Sequence, residues 1–159
     1  MTDELEIVRT ILKSARTASV TTQTASGALH SRPLAVLEDD FAGTLWFFTA
    51  DPSSKTADLA AHPQVNVSVG DGKGWLSLSG LATISRDQER IARYWNPWAA
   101  AYFEGGRDDP TVALLQVDVS SIHYWDLDKP AIVTAFEVAK GLLTRPAPDV
   151  GDNGVIQLH

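Results

Sequence analysis

From Gln64 to Ser85 the chain carries two runs of period-two alternation around one tight turn, which leaves little choice of local structure. In Gln64 to Gly70 (QVNVSVG) valines alternate with polar side chains, and in Trp75 to Ser85 (WLSLSGLATIS) Leu76 and Leu78 alternate with Ser77 and Ser79. A period of two places the apolar set on one face of a strand. Asp71-Gly72-Lys73-Gly74 between the runs has turn composition. Gly80 inside the second run predicts a bend or bulge of the kind closed sheets use. The Gly-x-Gly-x-Gly appearance of residues 70–74 is not a dinucleotide fingerprint, because a strand rather than a helix follows.

The same rhythm recurs along the chain. Ala18 to Thr24 is β-branched, Ala25-Ser26-Gly27 supplies a turn, and Ala28 to Leu37 returns, which predicts a hairpin. Pro33 cannot donate to a ladder, so the second arm should carry a bulge or a free edge there. Thr44 to Thr49 (TLWFFT) reads as an aromatic strand covered on both faces. Val112 to Ser120 and Ile122 to Asp126 are two late strands or one bent strand, and Val150 to Leu158 reads as a turn and edge strand. Helical spacing appears at Leu5, Val8, Ile11, Leu12 and Ala15, behind an acidic first turn of Asp3, Glu4 and Glu6. Lys55 to Ala61 predicts a short helix that His62-Pro63 ends. A third helical segment from Asp87 is interrupted at Asn96-Pro97 and resumes over Trp98 to Phe103. Ala131 to Leu143 has helical spacing, with strand a live option at Ile132-Val133-Thr134. Six or seven strands without a βαβ rhythm predict a mainly β, α+β fold: one antiparallel barrel with flanking helices. The expected domain is single and spans residues 1–159, with 44% apolar residues to fill its core.

A net charge of −7 excludes nucleic acid or an anionic membrane as the main partner, since both need a basic footprint. With no cysteine there are no disulfides, thiolate metal sites or Cys nucleophile. The four His residues lack ligand spacing, so no metal is expected. Neither a basic-apolar leader nor an 18-residue apolar run is present, and the expected location is cytoplasmic.

Charge distribution singles out one region. Between Thr17 and Gly72 the only Lys or Arg residues are Arg32 and Lys55, against six acids. Lys55 follows Asp51-Pro52-Ser53-Ser54, a turn and N-cap sequence that opens a helix. Backbone N–H groups, hydroxyls and an ammonium together suit a phosphate. If folding brings Arg32 to that helix start, the two cations can share one anion.

The blocks HSRPLAV (His30 to Val36), LWFFT (Leu45 to Thr49), Ser54-Lys55, HPQVNVS (His62 to Ser68), SLSG (Ser77 to Gly80), YWNPW (Tyr94 to Trp98), FEGGRDDP (Phe103 to Pro110) and YWD (Tyr124 to Asp126) occur in this order. The chain thereby resembles the general stress protein 26 family, within the pyridoxamine 5′-phosphate oxidase-like flavin-binding split barrels. The resemblance implies a split-barrel homodimer with FMN, or FAD in its place, in two equivalent clefts between subunits. It implies that Arg32, Thr49, Ser53 and Lys55 hold the flavin phosphate, with Ser54 beside them and Phe48 in the LWFFT block. Pro33, Leu34 and an aromatic such as Trp98 or Trp75, the latter two from the partner subunit, would wall the ring. The oxidase itself differs: its Lys near the end of the second strand is Leu37 here, its ring-edge Gln is Trp75, and its C-terminal Arg-x-His segment has no counterpart at Arg145-Pro146-Ala147. These departures point away from vitamin B6 oxidation and leave flavin binding in place.

The sequence shows no nucleophile elbow and no paired acids for hydrolysis. Hydride transfer fits this lack of acid–base groups, since the cofactor carries the chemistry. The expected function is an FMN-dependent oxidoreductase for a small molecule, with a nicotinamide as candidate donor. The alternative is a flavin-binding or flavin-sequestering stress module without turnover.

Overall fold

Alternation of buried and half-buried residues runs through every central strand of the computed structural model, which describes residues 2–37, 40–126 and 152–158. The elements are α1 (Thr2–Ser14), β1 (Thr17–Gln23), β2 (Leu29–Ala35), β3 (Thr44–Ala50), α2 (Ser54–Ala61), β4 (Gln64–Gly70), β5 (Gly74–Ser85), α3 (Gln88–Tyr94), α4 (Pro97–Tyr102), β6 (Val112–Asp126) and β7 (Asp152–Gln157). Among the described residues every strand pairing is antiparallel, in the order β2-β1-β4-β5-β6-β3, with β7 added to β6. β2 and β3 end this order and approach each other without a ladder, so the sheet curls into a split barrel.

The core comes from the inward set of each strand. Val20, Phe47, Val67, Leu78, Leu115, Val117 and Ile122 are fully buried, and α1 adds Val8, Ile11 and Leu12 along one stripe. A second cluster lies outside the barrel, where Ile91, Tyr94, Ala99 and Phe103 pack against Trp46 and Phe48 on the outer side of β3. That packing is why TLWFFT is apolar on both faces. The Arg90 guanidinium lies 4.1 Å from the Trp46 ring centre and closes this cluster at its edge.

Gly80 marks a register shift between Ser79 and Gly80 against β6, and a Cβ there would run into the Asp118 carbonyl oxygen. The expected bulge is therefore real, and the late strands are one bent strand. Of the two arrangements expected at Pro33, the free edge is the one formed: β2 pairs with β1 without a bulge and ends the sheet. Strand succession is not purely sequential: β4 pairs with β1, and β3 with β6, while α3 and α4 cover the outer face of β3. The segment between α4 and β6 contains a 3-10 turn over Gly106–Asp108. The expected helix or strand at Ala131 to Leu143 lies outside the described residues, whereas the expected terminal edge strand is β7. Among the described residues no helix is long and apolar enough to cross a membrane.

Candidate functional site

β2 delivers Arg32 to the seam of the split barrel, and the turn after β3 delivers Lys55 to the first turn of α2, which packs against β1. α2 starts there because Ser53 caps it: its hydroxyl accepts from the Thr56 N–H at 3.3 Å, while Thr56 Oγ1 accepts from the Ser53 N–H at 2.9 Å. The capping box fixes the direction of Lys55 and occupies Ser53, leaving Ser54 exposed beside it. The Asp51–Pro52 peptide just before it is cis.

Arg32 faces the same side of the sheet as its register partner Val20. Its Nη1 donates to Thr22 Oγ1 at 2.8 Å, and Thr22 is only 1% exposed. Burial and the neighbouring Arg32 charge, in that order, hold the Lys55 ammonium below its usual pKa. Folding thus brings the two cations, with 22 residues between them in sequence, within range for the Arg32 charge to act on Lys55. Among the described residues neither forms an ion pair with a carboxylate. Two neighbouring cations without a counter-ion suit a phosphate monoester, of charge roughly −1.5 to −2 at neutral pH. Thr49, 2% exposed at the end of β3, touches the Ala50 carbonyl only at 3.5 Å and so keeps most of its donor capacity.

The opposite face of β2 borders a cleft of about 350 Å³ lined by Thr17, Ser19, Ser31, Arg32, Pro33, Ser68, Gly70 and Trp75, among others. Trp75, 52% exposed, lies across β4 over Gly70, where a Cβ would meet the indole ring at 2.7 Å. Glycine is thus what lets the ring lie flat and form a wall opposite Pro33. Hydroxyls line the floor, and the polar row continues through Thr21–Ser31 at 2.6 Å and Asn66 to Ser77 and Ser79 at 2.9 and 3.1 Å. A flat apolar wall with hydroxyl partners suits a planar heteroaromatic ring with a polar edge.

Folding sorts the sequence candidates into distinct places. Arg32 and Lys55 come together, with Ser53 and Ser54 at the same helix start. Arg32, Pro33 and Trp75 share the cleft within one chain. Leu34, two residues on from Arg32, shares its inward face of β2 and packs on the barrel core. Phe48 belongs to the outer aromatic cluster, its ring 5.7 Å from Trp95 and 6.4 Å from Phe103, both edge-on. Trp98, 82% exposed on α4, is not among the cleft-lining residues of its own chain. Sequence reasoning missed Thr22 and Gly70. Thr22 sits in the inward set of β1, where a polar residue needs a partner, and that misfit was its only signal. Among the described residues no group of His, Cys, Asp or Glu could hold a metal.

Comparison with known proteins places this fold among relatives. The sequence pattern of the family described as "Pyridoxamine 5′-phosphate oxidase like" matches residues 3–149. Protein bli-3 of Neurospora crassa is 32% identical over 137 residues, covering 77% of this chain and 64% of that protein, so the chain spans less than two thirds of its length. A crystal structure described as general stress protein 26 from Jannaschia sp. CCS1 superposes with a TM-score of 0.78 at 27% identity, covering 99% of this chain and 100% of the other. The general stress FMN/FAD binding protein of Xanthomonas citri superposes with a TM-score of 0.71 at 30% identity, covering 82% and 93%.

Proposed function

Since the chain belongs to the pyridoxamine 5′-phosphate oxidase-like family, we propose that it binds FMN, with the phosphate between Arg32 and Lys55 and the ring passing round the free edge of β2 to the Pro33–Trp75 cleft on its other face. The carrying observation is the pair of neighbouring cations with no carboxylate partner among the described residues, in a protein of net charge −7. A phosphate offers the neutralisation that the surrounding protein withholds. Arg32 can bond two phosphate oxygens while Lys55 acts as a point charge, with Thr49 and Ser54 as further donors. The similar Xanthomonas citri protein is named for FMN/FAD binding, which supports the same ligand class here.

The bound flavin would supply hydride or electron transfer, and the protein residues would hold and orient it. Beyond Arg32, the cleft lining offers hydroxyls and an indole rather than a general acid or base, which suits redox of a small molecule with a nicotinamide donor. The unit proposed is a homodimer, with the partner's Trp98 completing the ring site. That residue's 82% exposure in a single chain is the supporting observation.

The test is the visible spectrum and mass of whatever co-purifies with the protein, followed by NADH or NADPH addition under anaerobic conditions. Expected are flavin absorption, the mass of FMN rather than FAD, and bleaching on reduction. A colourless protein that does not bind added FMN overturns the flavin reading. Bound flavin that no nicotinamide reduces would select flavin sequestration over turnover. Light scattering should give twice the chain mass of 17.2 kDa.

A further inference from the structure

We propose that Arg86 is the positioning residue of the phosphate grip, holding the segment that launches α2; the inference rests on the flavin reading above. Arg86 leaves the end of β5, far from Lys55 in sequence, yet its guanidinium reaches back to Asp51, four residues before Lys55. Nη2 donates to the Asp51 carboxylate at 2.7 Å and to the Asp51 carbonyl at 3.0 Å, while Nη1 donates to the Pro110 carbonyl at 2.8 Å. The Asp51 N–H donates to the Thr111 carbonyl at 2.9 Å. Backbone donor, backbone acceptor and side chain of one loop residue are therefore all fixed from outside the loop.

The anchor is itself braced. Asp109 Oδ1 accepts from the Thr111 N–H at 2.9 Å and the Thr111 hydroxyl at 2.8 Å, and its Oδ2 accepts from the Gly105 N–H at 3.2 Å. The FEGGRDDP segment lends no side chain to the Arg32–Lys55 pair or to the cleft lining. As the far anchor of the α2 start, it gains a role. A planar fork with several fixed donors can bridge two loops at once, which a lysine cannot. The Arg86–Asp51 pair is partly exposed and adds little stability alone. Its consequence is geometric: a phosphate site needs its cation and hydroxyls held within a fraction of an ångström.

The test compares FMN with riboflavin, the same ring and ribityl chain without the phosphate, by flavin fluorescence quenching at one fixed ionic strength. Arg86→Gln should weaken FMN about five- to tenfold and leave riboflavin unchanged, and Arg86→Lys should recover only part of the loss. Should Arg86→Gln fail to fold, Asp51→Asn carries the same comparison, with a smaller loss of the same sign. An unchanged FMN-to-riboflavin ratio in the folded variants, or equal losses for both ligands, overturns the inference alone. A wild-type protein that does not prefer FMN to riboflavin overturns the phosphate site, and this inference with it.

Discussion

Replacing Lys55 by Met should weaken FMN while leaving the ligand-free protein at least as stable, two effects of opposite sign from one charge. Lys55 is a cation whose charged form is disfavoured by burial and then by Arg32. Its folded pKa is lowered, so between that pKa and the ordinary 10.5 the unfolded chain binds more protons than the folded one. Stability contributed by this group therefore rises with pH across that window, and below it the ligand-free fold carries a penalty that a neutral Met removes. Binding runs the other way. A unit charge pair 4 Å apart is worth about 4 kcal/mol at an effective dielectric of 20, and a phosphate brings close to two charges. Displaced water and desolvation cancel much of this, leaving about 1.5–3 kcal/mol net for a charged hydrogen bond. Lys55→Met should thus raise the FMN dissociation constant about 10- to 150-fold. The measurements are a flavin fluorescence titration and thermal melts of the ligand-free protein, both as a function of pH. In the wild type, FMN affinity should fall as pH rises through the lowered Lys55 pKa, and that dependence should vanish in the variant. Unchanged FMN affinity would refute the phosphate grip; a ligand-free fold weakened as much as the binding would show that Lys55 serves structure instead.

Arg32→Ala removes the second cation and orphans the nearly buried Thr22 hydroxyl, so it should cost both FMN affinity, by about 1.5–3 kcal/mol, and fold stability, by roughly 1 kcal/mol. Arg32→Lys should restore charge without the fork, and full recovery in titrations would show that bidentate geometry is unimportant. Gly80→Ala drives a methyl into the Asp118 backbone carbonyl at the β5–β6 bulge, which should destabilise by about 1–3 kcal/mol in urea unfolding; an unchanged midpoint would mean that the bulge can slide. Asp109 has a carboxyl held below its usual value of 3.8, first by the Thr111 backbone N–H and then by the Thr111 hydroxyl. Its stabilising contribution is present above the unfolded pKa and is lost as pH falls through the folded one. Asp109→Asn should therefore flatten the acid limb of the stability profile, and an identical limb in the variant would count against the brace.

Much of this protein was legible from its residues. Helical spacing in α1, the cap at Ser53, the turn at Asp71 to Gly74 and the bulge at Gly80 are local, and local chemistry writes them directly into the order of residues. Arg32 and Lys55 also stood out from the sequence, because two lone cations among acids demand an explanation. Period two states which residues of a strand share a face, but it does not say which strand lies beside it. Only the folded sheet could pair β1 with β4 and β3 with β6. It also set Trp75 over Gly70, turned Leu34 into the core and Phe48 into an outer cluster, and joined Arg86 to Asp51. Those contacts join residues far apart along the chain, and they exist because apolar faces must be buried somewhere and the long side chains on the edges follow where that burial leads.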